Sequence, residues 1–517
     1  MEVLGFDLSP AMLTLVTMVG MLFVSLGYDW WCHQYFQRRG IPVAEYIPLL
    51  GSSATCGKLG FHSACERFLK DKGKYVGMYE IRRPVLIVSD PDIIKNVLIK
   101  NFNSFCNRRV MPLLPAPMKR GLNLLQNDEW KEVRNILTPT FSAAKMKQMS
   151  FVMNECCDRL VSYLDKAREG GIPVECRHVF GGYTMDVIAR CGFGLRADSY
   201  DKDDPFVRNG SKMFDFKVES LVSLLLVIFP VLATPLTKLT KYSLIDQSAV
   251  DFFVDVTKEV VNLRRRGERE SKNIDVLQLL LNAHNDPEYD QGESASRLNG
   301  RENVVVRRKP LSTTDVLAQA LTFFSAGYET TNTVLSLTAY LLAMNQDVQE
   351  KLYAEIDSLT PTRNDVTYGV IHNMVYLDMV ISESLRLFPP VVLLERVCNE
   401  TTRYNGLTIE KGLVLFISTW SIHHSEDYWP NPTQFDPERF NADNKANIKP
   451  YTYMPFGLGP RNCIAMRFAL LEAKIALVRV LQQFRFDVCQ KTQIPPTLKK
   501  FGLISPESVM LSVIPRN

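Results

Sequence analysis

The stretch FGLGPRNCIA, Phe456 to Ala465, decides how the rest of the chain is read. Gly457, Gly459 and Pro460 break any regular helix and predict a tight loop. The AMRFALLEAKIALVRVLQQF that follows Cys463 carries apolar residues at helical spacing. Cys463 therefore stands where a loop enters a helix. The positive end of a helix favours a thiolate, and a thiolate can ligate a metal. Arg461, two residues earlier, is placed to meet an anionic group of a ligand. A lone cysteine is ordinarily a small buried hydrophobe, so this reading needs support from elsewhere in the chain.

The bulk properties set wide limits. The chain has 517 residues, 46% hydrophobic and 22% charged, ordinary for a globular protein with a large core. A net charge of +4 is too mild to argue for a nucleic-acid partner. The 11 cysteines are odd in number, scattered and without metal-type spacing, which fits a reducing compartment rather than a disulfide framework. Cys156 and Cys157 are adjacent and cannot bridge each other without strain.

Leu8 to Tyr28 holds no charged side chain and is long enough to cross a bilayer, which takes about 20 residues. Trp30 and Trp31 follow at the expected interface, then Arg38 and Arg39. Glu2 and Asp7 precede the run, so the positive flank is C-terminal and predicts that the bulk of the chain faces the cytosol. The competing reading is a cleaved signal with Ser25–Gly27 as its site, but the basic N-terminus and short apolar core of a signal are missing. The expected plan is an anchor over 1–30, a stiff connector over 31–52 containing Pro42, Pro48 and Gly51, and a catalytic domain over 53–517. YVGMYEIRRPVLIVSD alternates as a hairpin with Pro84 near its turn, and from Pro91 the pattern turns helical. Ser220 to Thr237 is a second uncharged run. Pro230 and Pro235 argue against one continuous span and for two short helices touching the membrane surface. Residues 282–310 are polar and read as a solvated loop.

Four patterns carry chemistry. Ser312 and Asp315 form an approximate capping box opening a long apolar helix. Inside that helix lies Ala326-Gly327-Tyr328-Glu329-Thr330-Thr331, with an acid whose burial is costly unless it is paired or used. A threonine there can bond back to the carbonyl four residues earlier. Trp130 and Arg134, in DEWKEVR, are four apart on one helix face, and an indole N–H beside a guanidinium fork suits carboxylates. Glu383 and Arg386, in ESLR, are three apart. His423 and His424 are adjacent, cannot easily share one metal, and read as structural.

Phe456, Gly459, Arg461 and Cys463 match the Phe-x-x-Gly-x-Arg-x-Cys-x-Gly loop, and the chain resembles the cytochrome P450 superfamily. Ala465 replaces the last glycine of that motif, which predicts a slightly tighter contact with the haem. FGLGPRNCIAMRFAL, LERVC, CNRR and AGYETTNT are most similar to family 3 and its neighbour thromboxane-A synthase. The resemblance runs from about Arg38 to the end, plus the anchor. It implies a fold that is mainly α with a small β region, with haem b between the long helix and the cysteine loop. Cys463 is then the axial ligand of the haem iron. Arg108, Trp130, Arg134, Arg396, Arg461 and Phe456 bind the cofactor, and Gly327 lets the long helix approach it. Glu329 and Thr330 supply protons to bound oxygen. Glu383, Arg386 and Arg439 form a structural group. Phe323, Phe324, Ala326, Val391 and Leu393 line the substrate pocket, roofed by Ser220 to Thr237.

The activity implied is insertion of one atom of O2 into an apolar steroid, fatty acid or xenobiotic. Electrons would come from NADPH through NADPH–cytochrome P450 reductase, with cytochrome b5 as a second donor, at the endoplasmic reticulum membrane. The chain has no G-x-G-x-x-G after a strand, so the donor must be external. Lys131, Lys145, Lys147 and Arg467 are expected to form its docking face. The alternative is an isomerase of prostaglandin endoperoxides, which needs neither O2 nor reductase. The retained Thr330 favours the monooxygenase. A haem sensor or carrier without turnover is the third reading.

Overall fold

The computed structural model describes residues 10–111, 113–201, 204–215, 243–267, 275–285 and 311–516. The expected membrane-surface helices over Ser220 to Thr237 lie outside the described residues, as does the polar loop over 282–310 beyond residue 285.

The chain opens with helix α1 (Pro10–His33), whose apolar side chains are exposed along most of its length. The hairpin follows as expected, β1 (Tyr75–Glu80) against β2 (Arg83–Val88), with Tyr75 opposite Val88 and Glu80 opposite Arg83. The helices that build the site are α2 (Asn127–Leu137), α3 (Ala143–Glu169), α4 (Cys176–Phe193), α5 (Gln247–Arg265), α6 (Thr313–Met344), α7 (Val375–Leu387) and α8 (Met466–Leu481). Between α7 and α8 run β3 (Leu393–Val397) and β4 (Val414–Ser418). The sheet order is β1-β2-β4-β3, with β2 parallel to β4 and β3 antiparallel to it. β4 is buried along its whole length, as a strand covered on both faces must be.

Helix α6 is the axis of the molecule. It packs against α4, α5, α7 and α8. The predicted capping box closes its start: Ser312 Oγ accepts from Asp315 N–H while the Asp315 carboxylate accepts from Ser312 N–H. The mainly α architecture with a small β region is as read from the sequence.

The helix does not stop at residue 30, where the expected anchor ends. α1 runs unbroken through Trp30 and Trp31 to His33. The connector is not a free spacer. Gly77 N–H donates to Pro42 O and Ala44 N–H to Gly77 O, each at 2.8 Å, and Ser52 N–H reaches Tyr79 O. Phe36 is fully buried against Gly77, where any side chain would collide with its ring. Backbone pairing to β1 at residues 42–44 and 51–52 thus ties the connector to the sheet's edge. A proline-rich run signals stiffness, not what the stiff segment lies against.

Candidate functional site

The loop before α8 folds as its glycines require. Gly457 and Gly459 have φ of 73° and 72°, a region that side chains disfavour. A Cβ at Gly459 would collide with the Leu98 carbonyl oxygen. Cys463 N–H donates to Phe456 O at 2.8 Å, closing the loop around the thiol. Ala465 sits at φ −97°, open to any L-residue, so the glycine-to-alanine departure costs no backbone strain. α8 begins at Met466, three residues after the cysteine.

Cys463 is solvent-accessible yet surrounded by the protein, so it lines an internal concavity. Burial pushes its thiol up, and the Ala465 N–H, Arg134 and Arg108 oppose that. The expectation that the helix end alone favours a thiolate is therefore corrected: burial outweighs it. A bound metal cation deprotonates a coordinating thiol outright and supplies what the fold does not.

Four arginines converge on this loop, and they divide the work unequally. Arg134 spends its fork on the residue before the cysteine, donating to Asn462 O at 2.8 Å and Asn462 Oδ1 at 3.0 Å. Arg461, nearly fully buried, donates to the carbonyls of Cys106, Asn123 and Leu125 and lies 4.9 Å over the Trp130 ring. Both therefore clamp the cysteine loop, and the buried Nε of Arg461 is left without a partner. Trp130 is buried beneath Arg461 and beside Phe102. Arg108 makes a single long bond, 3.3 Å to Asn123 O, and Arg396 a single bond to Glu395 O. Nε of each is buried and unpartnered.

Burial and mutual repulsion with Arg108 pull Arg396 and Arg461 down to about 9, and burial lowers Arg108 and Arg134. None of the four has a carboxylate within ion-pair reach among the described residues. Glu395, the acid whose charge acts on Arg108 and Arg396, is bonded to Arg109, which also holds Glu80. Buried charges need counter-charges, and this cluster beside a cysteine ligand fits a flat group bearing two carboxylates. The haem propionates are such a pair. The residues present fit haem, with Arg108 and Arg396 the two left free to hold it.

On α6, three consecutive residues face three ways, as helical geometry demands. Glu329 is buried and ion-paired to Arg177 of α4 at 2.7 Å. Thr330 is half-exposed and its hydroxyl donates to Ala326 O at 2.7 Å, the back-bond expected from the sequence. Thr331 points to the α8 side, at Glu472. The acid and the alcohol are adjacent in sequence but not on one face, and Arg177 was invisible because it lies 152 positions away. A Cβ at Gly327 would strike Ile188 of α4, so its missing side chain lets α6 and α4 pack closely.

The pocket residues separate. Ala326 and Val391 are accessible. Phe323 is half-buried and stacks on Phe141 at 5.5 Å, and Leu393 packs partly into the core. Phe324 is corrected to core: it is 1% exposed, with its ring 3.7 Å from that of Phe253. Periodicity cannot tell the two apolar sides of a helix apart when both are covered.

Behind the loop, Glu383, Arg386 and Arg439 assemble as expected. Arg386 donates to both Glu383 oxygens at 2.7 Å, and Arg439 Nε lies 3.4 Å from Glu383 Oε1. Arg386 also holds the carbonyls of His423, Pro432 and Gln434. His423 is structural, as expected, and has a further task. Met454 N–H donates to its Nε2 at 3.0 Å, so Nδ1 carries the proton and donates to Arg386 O. His423 thereby ties the buried ion pair to the residue that leads into Phe456. Burial holds His423 well below the usual histidine range and His424 at about 4.

The family model described as Cytochrome P450 matches residues 41–512. Cytochrome P450 3A9 of Rattus norvegicus is 40% identical over 516 residues, 99% of both chains. Cytochrome P450 3A29 of Sus scrofa is 40% identical over 499 residues, 95% of this chain and 94% of its own. Cytochrome P450 3A13 of Mus musculus is 40% identical over 488 residues, 94% of this chain and 93% of its own.

Proposed function

The chain belongs to the cytochrome P450 family and is a monooxygenase, and from that premise we propose that it oxidises apolar steroids, fatty acids or xenobiotics at the cytosolic face of the endoplasmic reticulum. The electrons come from NADPH through NADPH–cytochrome P450 reductase, with cytochrome b5 as a second donor. The observation that carries the reading is the cluster of four arginines around the Cys463 loop, Arg396 and Arg461 buried and Arg108 and Arg134 half-buried, with no acidic ion-pair partner among the described residues.

Bound there through the Cys463 thiolate, haem supplies the reductive activation of O2 and the transfer of one oxygen atom to a C–H bond. The chain's own residues do the rest. Arg108 and Arg396 hold the cofactor's carboxylates and thereby its orientation. Arg134 and Arg461 keep the cysteine loop from drifting. Thr330 donates its proton to Ala326 O, which leaves its oxygen lone pairs open to accept from a water and hold it on the accessible face of α6. Glu329 connects that helix to the surface through Arg177, which is 18% exposed at its side chain. Phe323, two turns before Thr330 on α6, and the exposed Val391 offer apolar surface, which selects substrates with little hydrogen-bonding demand.

The electron donor meets the face where α2, α3 and α8 begin. Lys131, Lys147 and Arg467 are exposed there, with Lys145 half-buried. An acidic flavin domain is steered to such a face, more weakly as salt rises. The anchor is α1, whose apolar side chains are exposed along most of its length, with Arg38 and Arg39 on the cytosolic flank.

Turnover of a steroid, fatty-acid and drug panel by the reconstituted full chain, with and without NADPH and reductase, tests this. Oxygenated product that appears only with both supports it. Rearrangement of an endoperoxide without NADPH would assign the site to isomerase chemistry instead.

A further inference from the structure

The last two turns of α1 are built unlike the rest of it. Asp29 and His33 are 2% and 0% exposed, in a helix whose apolar side chains are open. Asp29 Oδ1 accepts from Arg82 Nε at 3.2 Å, and Oδ2 accepts from Leu49 N–H at 3.0 Å. Arg82 comes from the turn of the β1–β2 hairpin and also donates to Ser25 Oγ at 2.8 Å. Its guanidinium lies 5.6 Å over the Tyr28 ring. His33 places Nδ1 at Asp29 O and Nε2 at Ile81 O, 2.7 and 2.9 Å away. Its ring is stacked at 4.4 Å on Tyr46 and meets the edge of Tyr79. Ser25, Tyr28, Asp29 and His33 are one stripe at i, i+3, i+4 and i+8. The hairpin grips one helix face over about 12 Å.

No loop separates this grip from the apolar span, because α1 is continuous from Pro10 to His33. On the outside of the grip lies an apolar belt. Tyr28, Trp30 and Trp31 are more than half exposed, and Ile47 and Leu50 are exposed on the loop that Leu49 ties to Asp29. Arg38 lies over Trp31. Aromatic residues flanked by arginine are what the headgroup layer of a bilayer takes.

We propose that the Asp29–His33–Arg82 joint is a rigid bracket between anchor and catalytic domain, and that the lipid interface is the partner of the belt formed by Trp30, Trp31, Ile47 and Leu50. The enzyme then sits at one fixed tilt on the membrane instead of swinging on a tether. This rests on the reading of α1 as a membrane anchor.

The test uses the full-length holoenzyme in oriented bilayers of phosphatidylcholine and phosphatidylserine, read by the polarised absorption of the haem. Wild type shows strong linear dichroism. Asp29→Asn combined with Arg82→Ala drops it to less than half, with the protein still resistant to carbonate extraction and still showing the thiolate-type spectrum of the reduced carbon monoxide complex. Dichroism unchanged in that variant overturns the bracket. Ile47→Asp with Leu50→Asp leaves the joint intact and serves if the first variant fails to fold. It shifts the haem tilt, and an unchanged tilt overturns the lipid contact. Release of the wild type by carbonate is a separate outcome, which removes the anchor reading and the bracket with it.

Discussion

Arg386→Lys isolates the support of the cysteine loop from the loop itself. Arg386 is fully buried and uses all five of its N–H donors: two on Glu383, and one each on the carbonyls of His423, Pro432 and Gln434. Lysine keeps the charge but has three donors on a flexible stem. At least two charge-assisted bonds are lost, at about 1.5–3 kcal/mol each, so the cost is about 3–6 kcal/mol. That is a large part of the 5–15 kcal/mol that holds a typical domain folded. At ~2.1 cal/mol/K per residue, a domain of this size has an unfolding entropy near ~1 kcal/mol/K, which converts the loss to about 3–6 °C in Tm. The loss also reaches the site, because His423 bonds Arg386 O on one side and Met454 N–H on the other. The assay pairs thermal unfolding with the reduced carbon monoxide spectrum, and the thiolate-type fraction should fall together with Tm. A lysine variant with wild-type Tm and a full thiolate spectrum would refute the idea that this chain of bonds positions the loop.

Two further outcomes follow from the site. Thr330→Ala should uncouple the reaction: NADPH is still consumed, hydrogen peroxide rises, and product per NADPH falls by at least ~10-fold, given that acid–base help is typically worth ~10²–10⁴-fold; an unchanged ratio counts against proton handling by Thr330. Glu472 is fully buried on α8 with no ion-pair partner among the described residues, and burial pushes its carboxyl well above the usual carboxylate range although the Thr331 hydroxyl opposes the shift. The folded protein therefore keeps a proton that the unfolded chain releases. Its contribution is complete below pH 4.5 and is lost as pH rises toward the folded pKa, at about 1.4 kcal/mol per pH unit. Glu472→Gln should unfold at a higher temperature than wild type at pH 8 and show a flatter pH dependence; identical slopes would mean that Glu472 is charged in the fold.

What the sequence made legible was chemistry confined to short runs. The cysteine loop, the α6 capping box, the Thr330 back-bond and the Glu383–Arg386 pair all lie within a few residues, where spacing fixes geometry. Partners brought together by the fold were not legible. Arg177 reaches Glu329 across two helices, and His423 joins Arg386 to Met454, with nothing local to announce either. Residue type alone makes Arg134 and Arg461 ligands of an anion, whereas the fold spends them on Asn462 and on backbone carbonyls. Phe324 was placed in the pocket because α6 is apolar all round, and burial against Phe253 puts it in the core. Gly327 comes close to Ile188 of α4, a neighbour that the local sequence does not announce. The end of α1 is not legible either, because Asp29 and His33 close an apolar run yet both are satisfied inside the protein.

The central claim is that Cys463, at the mouth of the loop held by Arg134, Arg461 and His423, is the ligand on which the chemistry depends. Its most direct test is the reduced carbon monoxide spectrum of Cys463→Ser beside wild type, measured on protein of matched haem content. A hydroxyl is a harder and much weaker ligand than a thiolate, so the thiolate-type band should vanish and NADPH-dependent oxygenation with it. A serine variant that keeps the band would move the ligand to another of the eleven cysteines and contradict the account.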